Sequence, residues 1–160
     1  MILKKNTSLN LFFIIISIII LSIVNYMEIF KDIQPCKLCI YQRYPYYLAI
    51  FLGISFFLIK NQKLKKNIFL LYILIFFSSF IMALHHLGIE NNLWNSITSC
   101  EDNSKNLSNN NLKDYLLNKE YVSCEDVAFK FLGISLAGFN LIISLILLIL
   151  SFAGNKRFRH

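Results

Sequence analysis

The sequence predicts an all-α membrane protein, a four-transmembrane-helix bundle whose long outer loop carries a short amphipathic helix. Three observations predict it. Apolar residues make up 56% of the 160 positions and charged residues only 16%, a balance beyond the usual soluble mix. The apolar residues gather in four runs, at 9–30, 40–59, 68–84 and 131–153. The basic residues are sorted between the connections rather than scattered. The whole chain, 1–160, reads as a single membrane domain.

Crossing the hydrocarbon core takes about 20 apolar residues at roughly 1.5 Å each, so the first, second and fourth runs span comfortably. The third has 17 residues and must stand upright or borrow residues 85–87 at its end. Lys4 and Lys5 ahead of 11–23 have the shape of a secretory signal. No small-residue cleavage pattern follows, and Asn25, Tyr26 and Glu28 stand where one belongs, so the first run reads as a retained helix.

The net charge of +7 does not make a nucleic-acid face. Lys4, Lys5, Lys60, Lys63, Lys65, Lys66, Lys156, Arg157 and Arg159 fall at the two termini and in the second connection, with no acid among them. Every Asp and Glu lies in or beside the first and third connections (loops at about 31–39 and 85–130). The positive-inside rule then puts both termini in the cytoplasm and both acid-bearing loops outside. In a bacterial-type inner membrane all four cysteines, Cys36, Cys39, Cys100 and Cys124, face the oxidising side, where two disulfides are expected. Four cysteines allow three pairings; sharing a loop favours Cys36 with Cys39 and Cys100 with Cys124.

In the first helix, Ser17, Ser22 and Asn25 interrupt an Ile-rich run, and small polar residues of this kind face neighbouring helices. Its role is anchor and packing. The first outer loop then delivers Pro35-Cys36-Lys37-Leu38-Cys39-Ile40-Tyr41-Gln42-Arg43 to the start of the second helix. On a continuous helix Cys36, Cys39 and Arg43 fall at i, i+3 and i+7, one face. Unpaired N–H groups at a helix start, with the helix dipole, favour the thiolate there, the reactive form of cysteine. A charge such as Arg43 facing lipid costs about 2.5–3.5 kcal/mol on insertion scales, so it faces protein, water or a polar ligand, the alternative being an Arg that snorkels to the interface. Pro45 removes a helical hydrogen bond and predicts a kink just below Arg43. Tyr41, Tyr44, Tyr46 and Tyr47 read mostly as an interfacial belt.

The third helix ends in His85-His86 at the outer surface. Neighbouring residues point about 100° apart on a helix, so only one imidazole serves the redox centre, and the residues leave open which. The third connection is rich in Asn and Ser between Cys100 and Cys124, a mobile composition, with an amphipathic segment around Leu112, Tyr115 and Leu116. A Cys100–Cys124 bond would stabilise this loop by about 3–4 kcal/mol in the chain-entropy account, or serve as an exposed disulfide that a partner protein reduces. The fourth helix opens with small residues, Gly133, Ala137 and Gly138, that admit a close neighbour, and Asn140 can tie helices together.

These residues in this order resemble the DsbB family of membrane disulfide bond formation proteins. The resemblance rests on the CxxC and Arg43 stretch, the His85-His86 region, the separated Cys100 and Cys124, and Phe131-Leu132-Gly133-Ile134-Ser135. It implies a thiol–quinone oxidoreductase that reoxidises a periplasmic DsbA-like disulfide oxidase and passes electrons to ubiquinone or menaquinone. It further implies that Cys39 is the thiolate beside the quinone and that Cys36 exchanges with the second pair. Cys100 then forms the mixed disulfide with the DsbA-like partner, and Cys124 passes electrons inward. Arg43 matches the quinone-site arginine, and His85 or His86 a histidine near that site. Phe129 and Phe139 stand where many members carry Trp.

The expected partners are therefore the DsbA-like oxidase, membrane quinone and the lipid bilayer, with no nucleic acid and no metal. Two rival readings come from other classes: thiolates that hold zinc or copper, and a structural membrane protein stapled by two disulfides. The 23 residues between Cys100 and Cys124 count against a zinc site made of two tight pairs. A nearer rival is the vitamin K epoxide reductase-like family, in which the CxxC follows the separated pair; here it comes first.

Overall fold

The computed structural model of the chain describes residues 2–31, 35–91, 93, 130–131 and 133–157. In chain order they form α1 (Ile2–Phe30), α2 (Lys37–Tyr41), α3 (Tyr44–Leu58), α4 (Gln62–Glu90), a two-stranded hairpin β1 (Lys130–Phe131) and β2 (Ile134–Ser135), and α5 (Leu136–Arg157). Cys100, Cys124 and the expected amphipathic helix lie outside the described residues.

Among the described residues, three helices are long and apolar enough to cross a membrane, over Asn6–Phe30, Gln62–Glu90 and Leu136–Lys156. The protein is a membrane protein by this measure, and its described residues are almost wholly helical. Outward faces of α4 and α5 are apolar: Leu70, Leu74, Phe77 and Ile81, and Ile142, Leu145, Ile146 and Ile149, are all exposed at helical spacing. Lipid is the solvent that such faces suit.

The expected second span, 40–59, is instead two helices. Pro45 has no N–H to give the Tyr41 carbonyl, and a new helix begins at Tyr44 with Pro45 in its first turn, where no donor is needed. The break replaces the expected kink and leaves α3 with 15 residues. The expected third run grows in both directions. Asn61 caps α4 by accepting the Lys63 N–H at 2.9 Å, so the helix starts within the lysine-rich connection and carries both histidines in its last turns.

The fourth run does not open as a helix. Lys130 pairs with Ser135 and Phe131 with Ile134, around a tight turn in which Gly133 has φ +82°, a conformation that a side chain rarely adopts. Ser135 then caps α5, its hydroxyl oxygen accepting the Gly138 N–H at 3.2 Å.

α4 packs chiefly on α5, and α1 on α3, with α3 against α4. Between them Phe13, Phe56, Phe69, Tyr72 and Phe76 form an aromatic core, Tyr72 and Phe76 stacked at 5.8 Å and Phe13 and Tyr72 tilted at 4.9 Å between ring centres. Polar ties cross it. The Tyr72 hydroxyl lies 2.8 Å from Asn10 Oδ1 and 3.1 Å from the Ala49 carbonyl, and Asn10 Nδ2 donates to the Gly53 carbonyl at 3.1 Å. Those bonds join α1, α3 and α4 where water is not available to satisfy the same groups.

Candidate functional site

Cys36 stands just ahead of α2 in extended backbone, and its sulfur accepts the Cys39 N–H at 3.2 Å. The CxxC spacing brings the second sulfur round by nearly one turn, so the two Sγ atoms lie 2.7 Å apart. Cys36 is buried against Ile89 of α4, whereas Cys39 is half-buried. An N–H aimed at the Cys36 sulfur favours negative charge there.

His86 comes from α4 to the same point, its Nε2 3.6 Å from the Cys36 sulfur and 3.7 Å from Glu90 Oε1. Gln42 holds its other face, with Nε2 3.1 Å from His86 Nδ1 and 3.4 Å from the Met82 carbonyl. Asn140 of α5 donates to Gln42 Oε1 at 3.0 Å, and the Tyr46 hydroxyl donates in turn to Asn140 Oδ1. If both Gln42 amide hydrogens are spent on Met82 and His86, Nδ1 is an acceptor and the imidazole proton sits on Nε2, facing Cys36 and Glu90. Of the two adjacent histidines, His86 is the one beside the CxxC; His85 is half-buried on another side of α4.

Arg43 precedes α3 at the break. Its Nη1 donates to Glu28 Oε2 at 2.7 Å and to Asn25 Oδ1 at 3.2 Å, both on α1. The guanidinium thus faces protein, one of the surroundings open to a charge that avoids lipid.

A cavity of about 460 Å³ opens between α1, the α2–α3 break and α5. Cys39, Gln42, Arg43, Tyr46, Asn140 and Glu28 supply its polar wall, and Ile20, Leu21, Val24, Leu136, Ala137 and Ile143 are among its apolar residues. Cys36, His85 and His86 do not line it. Asn140, expected to tie helices together, does so through Gln42 and Tyr46, whereas no local pattern marked Gln42, Tyr46, Glu28 or Glu90 for these places. Tyr46, read with the interfacial belt, is buried at 2% exposure, while Tyr41, Tyr44 and Tyr47 are exposed. The available signal was the cost of burying polar groups at membrane depth, which obliges Gln42 and Asn140 to find partners.

Comparison with known proteins decides the family. Residues 6–154 match the family described as Disulfide bond formation protein DsbB. The chain belongs to the DsbB family. Protein RP370 of Rickettsia prowazekii (strain Madrid E), itself uncharacterized, is 32% identical over 144 residues, covering 88% of this chain and 83% of the relative. No solved structure matches. As a DsbB-family protein the chain is a membrane disulfide oxidoreductase of disulfide bond formation. A dithiol at a helix start beside an apolar cavity is a chemically suitable place for that exchange.

Proposed function

We propose that this protein reoxidises a DsbA-like thiol oxidase and delivers the electrons to a membrane quinone, from a four-span bundle in the bacterial inner membrane with both termini cytoplasmic. One observation carries the reading: Cys39 and Arg43 share the wall of an apolar cavity of about 460 Å³. The cavity suits a flat, lipid-soluble ring with polar oxygens, because its apolar residues come from two helices and Arg43, Gln42, Tyr46 and Asn140 offer hydrogen-bonding groups. A quinone bound there supplies the acceptor for two electrons and two protons.

The chain's own residues divide the work. Attack of the partner's thiolate on a Cys100–Cys124 bond would form the mixed disulfide at Cys100 and expel Cys124 as a thiolate, which would attack the Cys36 sulfur, while the partner's second thiol would close the partner's own disulfide and free Cys100. Exchange at the Cys36 sulfur breaks the Cys36–Cys39 bond and leaves the electron pair on Cys39, which faces the cavity. The imidazole of His86, 3.6 Å from the Cys36 sulfur, is placed to carry the proton that sulfur gains or loses. Arg43 positions the acceptor's oxygen and favours the negative charge that develops there.

The test is quinone reduction by a reduced DsbA-like protein in reconstituted membranes, repeated for Ser at Cys36, Cys39, Cys100 and Cys124. Loss of turnover is expected for each. Partner oxidation without quinone reduction in the unaltered protein would refute the reading.

A further inference from the structure

The sulfurs of Cys36 and Cys39 and a ring nitrogen of His86 lie within 4.8 Å of one another. Glu90 follows His86 by one helical turn, with Oε1 3.7 Å from Nε2 and its side chain only 8% exposed. We propose that the reduced form of this site binds a zinc ion through Cys36, Cys39, His86 and Glu90, and that the ion holds the dithiol out of the redox cycle.

The donor set is two thiolates, one imidazole and one carboxylate, which suits a four-coordinate borderline-soft ion, and C-x₂-C is the spacing with which paired thiolates meet zinc. With Zn–S bonds of about 2.3 Å, tetrahedral geometry sets the sulfurs about 3.8 Å apart. The 2.7 Å pair must therefore open by about an ångström. The 3.6 Å spacing of Nε2 from the Cys36 sulfur already suits neighbouring ligands on one ion, whereas Glu90, 3.7 Å from Nε2 but outside the group formed by the two sulfurs and that nitrogen, must swing toward the sulfurs to complete the set. Glu90 also lines a second cavity of about 380 Å³, between α4, the hairpin and α5, so its carboxylate is approachable from a side other than the first cavity.

Two consequences follow from the chemistry. Two thiols give up two protons as the ion binds, with no change of oxidation state, and a Cys36–Cys39 disulfide has no thiolates to offer; metal and disulfide exclude each other. Coordination at Nε2 also requires the proton on Nδ1. The Gln42 amide then turns its oxygen to that proton, and Asn140 turns with it, so that Gln42 becomes the outer partner that orients the ligand.

The experiment uses full-length protein with Cys100→Ser and Cys124→Ser, reduced by a phosphine, with Zn²⁺ and Co²⁺ as probes and neither quinone nor partner present. Its failure is thus separable from failure of the oxidoreductase reading. One Zn²⁺ per chain is expected, and the Co²⁺ form should show thiolate charge-transfer bands and the strong visible absorption of a tetrahedral site. Oxidation of Cys36 and Cys39 should abolish binding, and His86→Ala and Glu90→Gln should each weaken it by about tenfold or more, whereas Gln42→Glu should tighten it. Absence of stoichiometric binding by the reduced protein would overturn the proposal. So would equal binding by the oxidised protein, a measurement that needs no further substitution and so no question of folding.

Discussion

At the scale of single residues, Arg43 is defined by its neighbour Glu28. The two are paired at 2.7 Å, with side-chain exposures of 17% and 25%, and both line the cavity. Removing the guanidinium therefore does two things: it deletes a charge-assisted donor, worth about 1.5–3 kcal/mol, and leaves a carboxylate facing an apolar space without its cation. Arg43→Ala is expected to raise the KM for quinone by roughly tenfold to a hundredfold, with little effect on binding of the DsbA-like partner. Adding Glu28→Gln should recover part of that loss, because a neutral amide no longer repels an electron-rich ring oxygen. Steady-state kinetics of the two single variants and the double variant measure this coupling. A double variant no better than Arg43→Ala would show that the Glu28 charge has no bearing on the site.

At the scale of elements, close helix approach sets the frame. A Cβ on Gly53 would clash with Ile14 Cγ1 and lie 2.6 Å from its Cδ1, so α1 and α3 meet here over a bare backbone. Gly53→Ala is expected to cost about 1–3 kcal/mol, read as a lower unfolding temperature in detergent, and Ile14→Ala in the same chain should restore part of it. The sequence made some of these elements plain and hid others, for physical reasons. The Cys36–Cys39 pair was legible because its spacing is local, and Arg43 was legible as protein-facing because lipid would penalise it. The choice of His86 over His85 depends on how α4 is rotated, which packing against α5 and α3 decides and no local pattern records. Gln42 was silent because its partner Asn140 lies 98 positions away. The hairpin before α5 was hidden by its own apolar residues. Gly133 and the capping Ser135 were the marks of a turn, and Gly133, read as a small helical residue, suggested packing instead.

At the scale of the molecule, the cavity sits where α1, the α2–α3 break and α5 meet, so its contents bear on how those helices hold together. A ligand that binds only the folded bundle stabilises it by about 2.7 kcal/mol at a hundredfold excess over its Kd. Adding a quinone should therefore raise the unfolding temperature of the unaltered protein. Ala137 tests whether this cavity is responsible. It is 2% exposed and lines the cavity from the first turn of α5, so a larger side chain there has space to enter without overpacking the aromatic core. Ala137→Phe is expected to leave the helical content intact, to abolish the quinone-dependent rise, and to stop quinone reduction. Because the substitution touches none of the cysteines, thiol exchange with a reduced DsbA-like protein should persist for a single turnover and then halt, as the electrons have nowhere to go. Circular dichroism, thermal unfolding with and without quinone, and single-turnover trapping separate these outcomes. A quinone-dependent rise that survives in Ala137→Phe would place the acceptor elsewhere in the bundle.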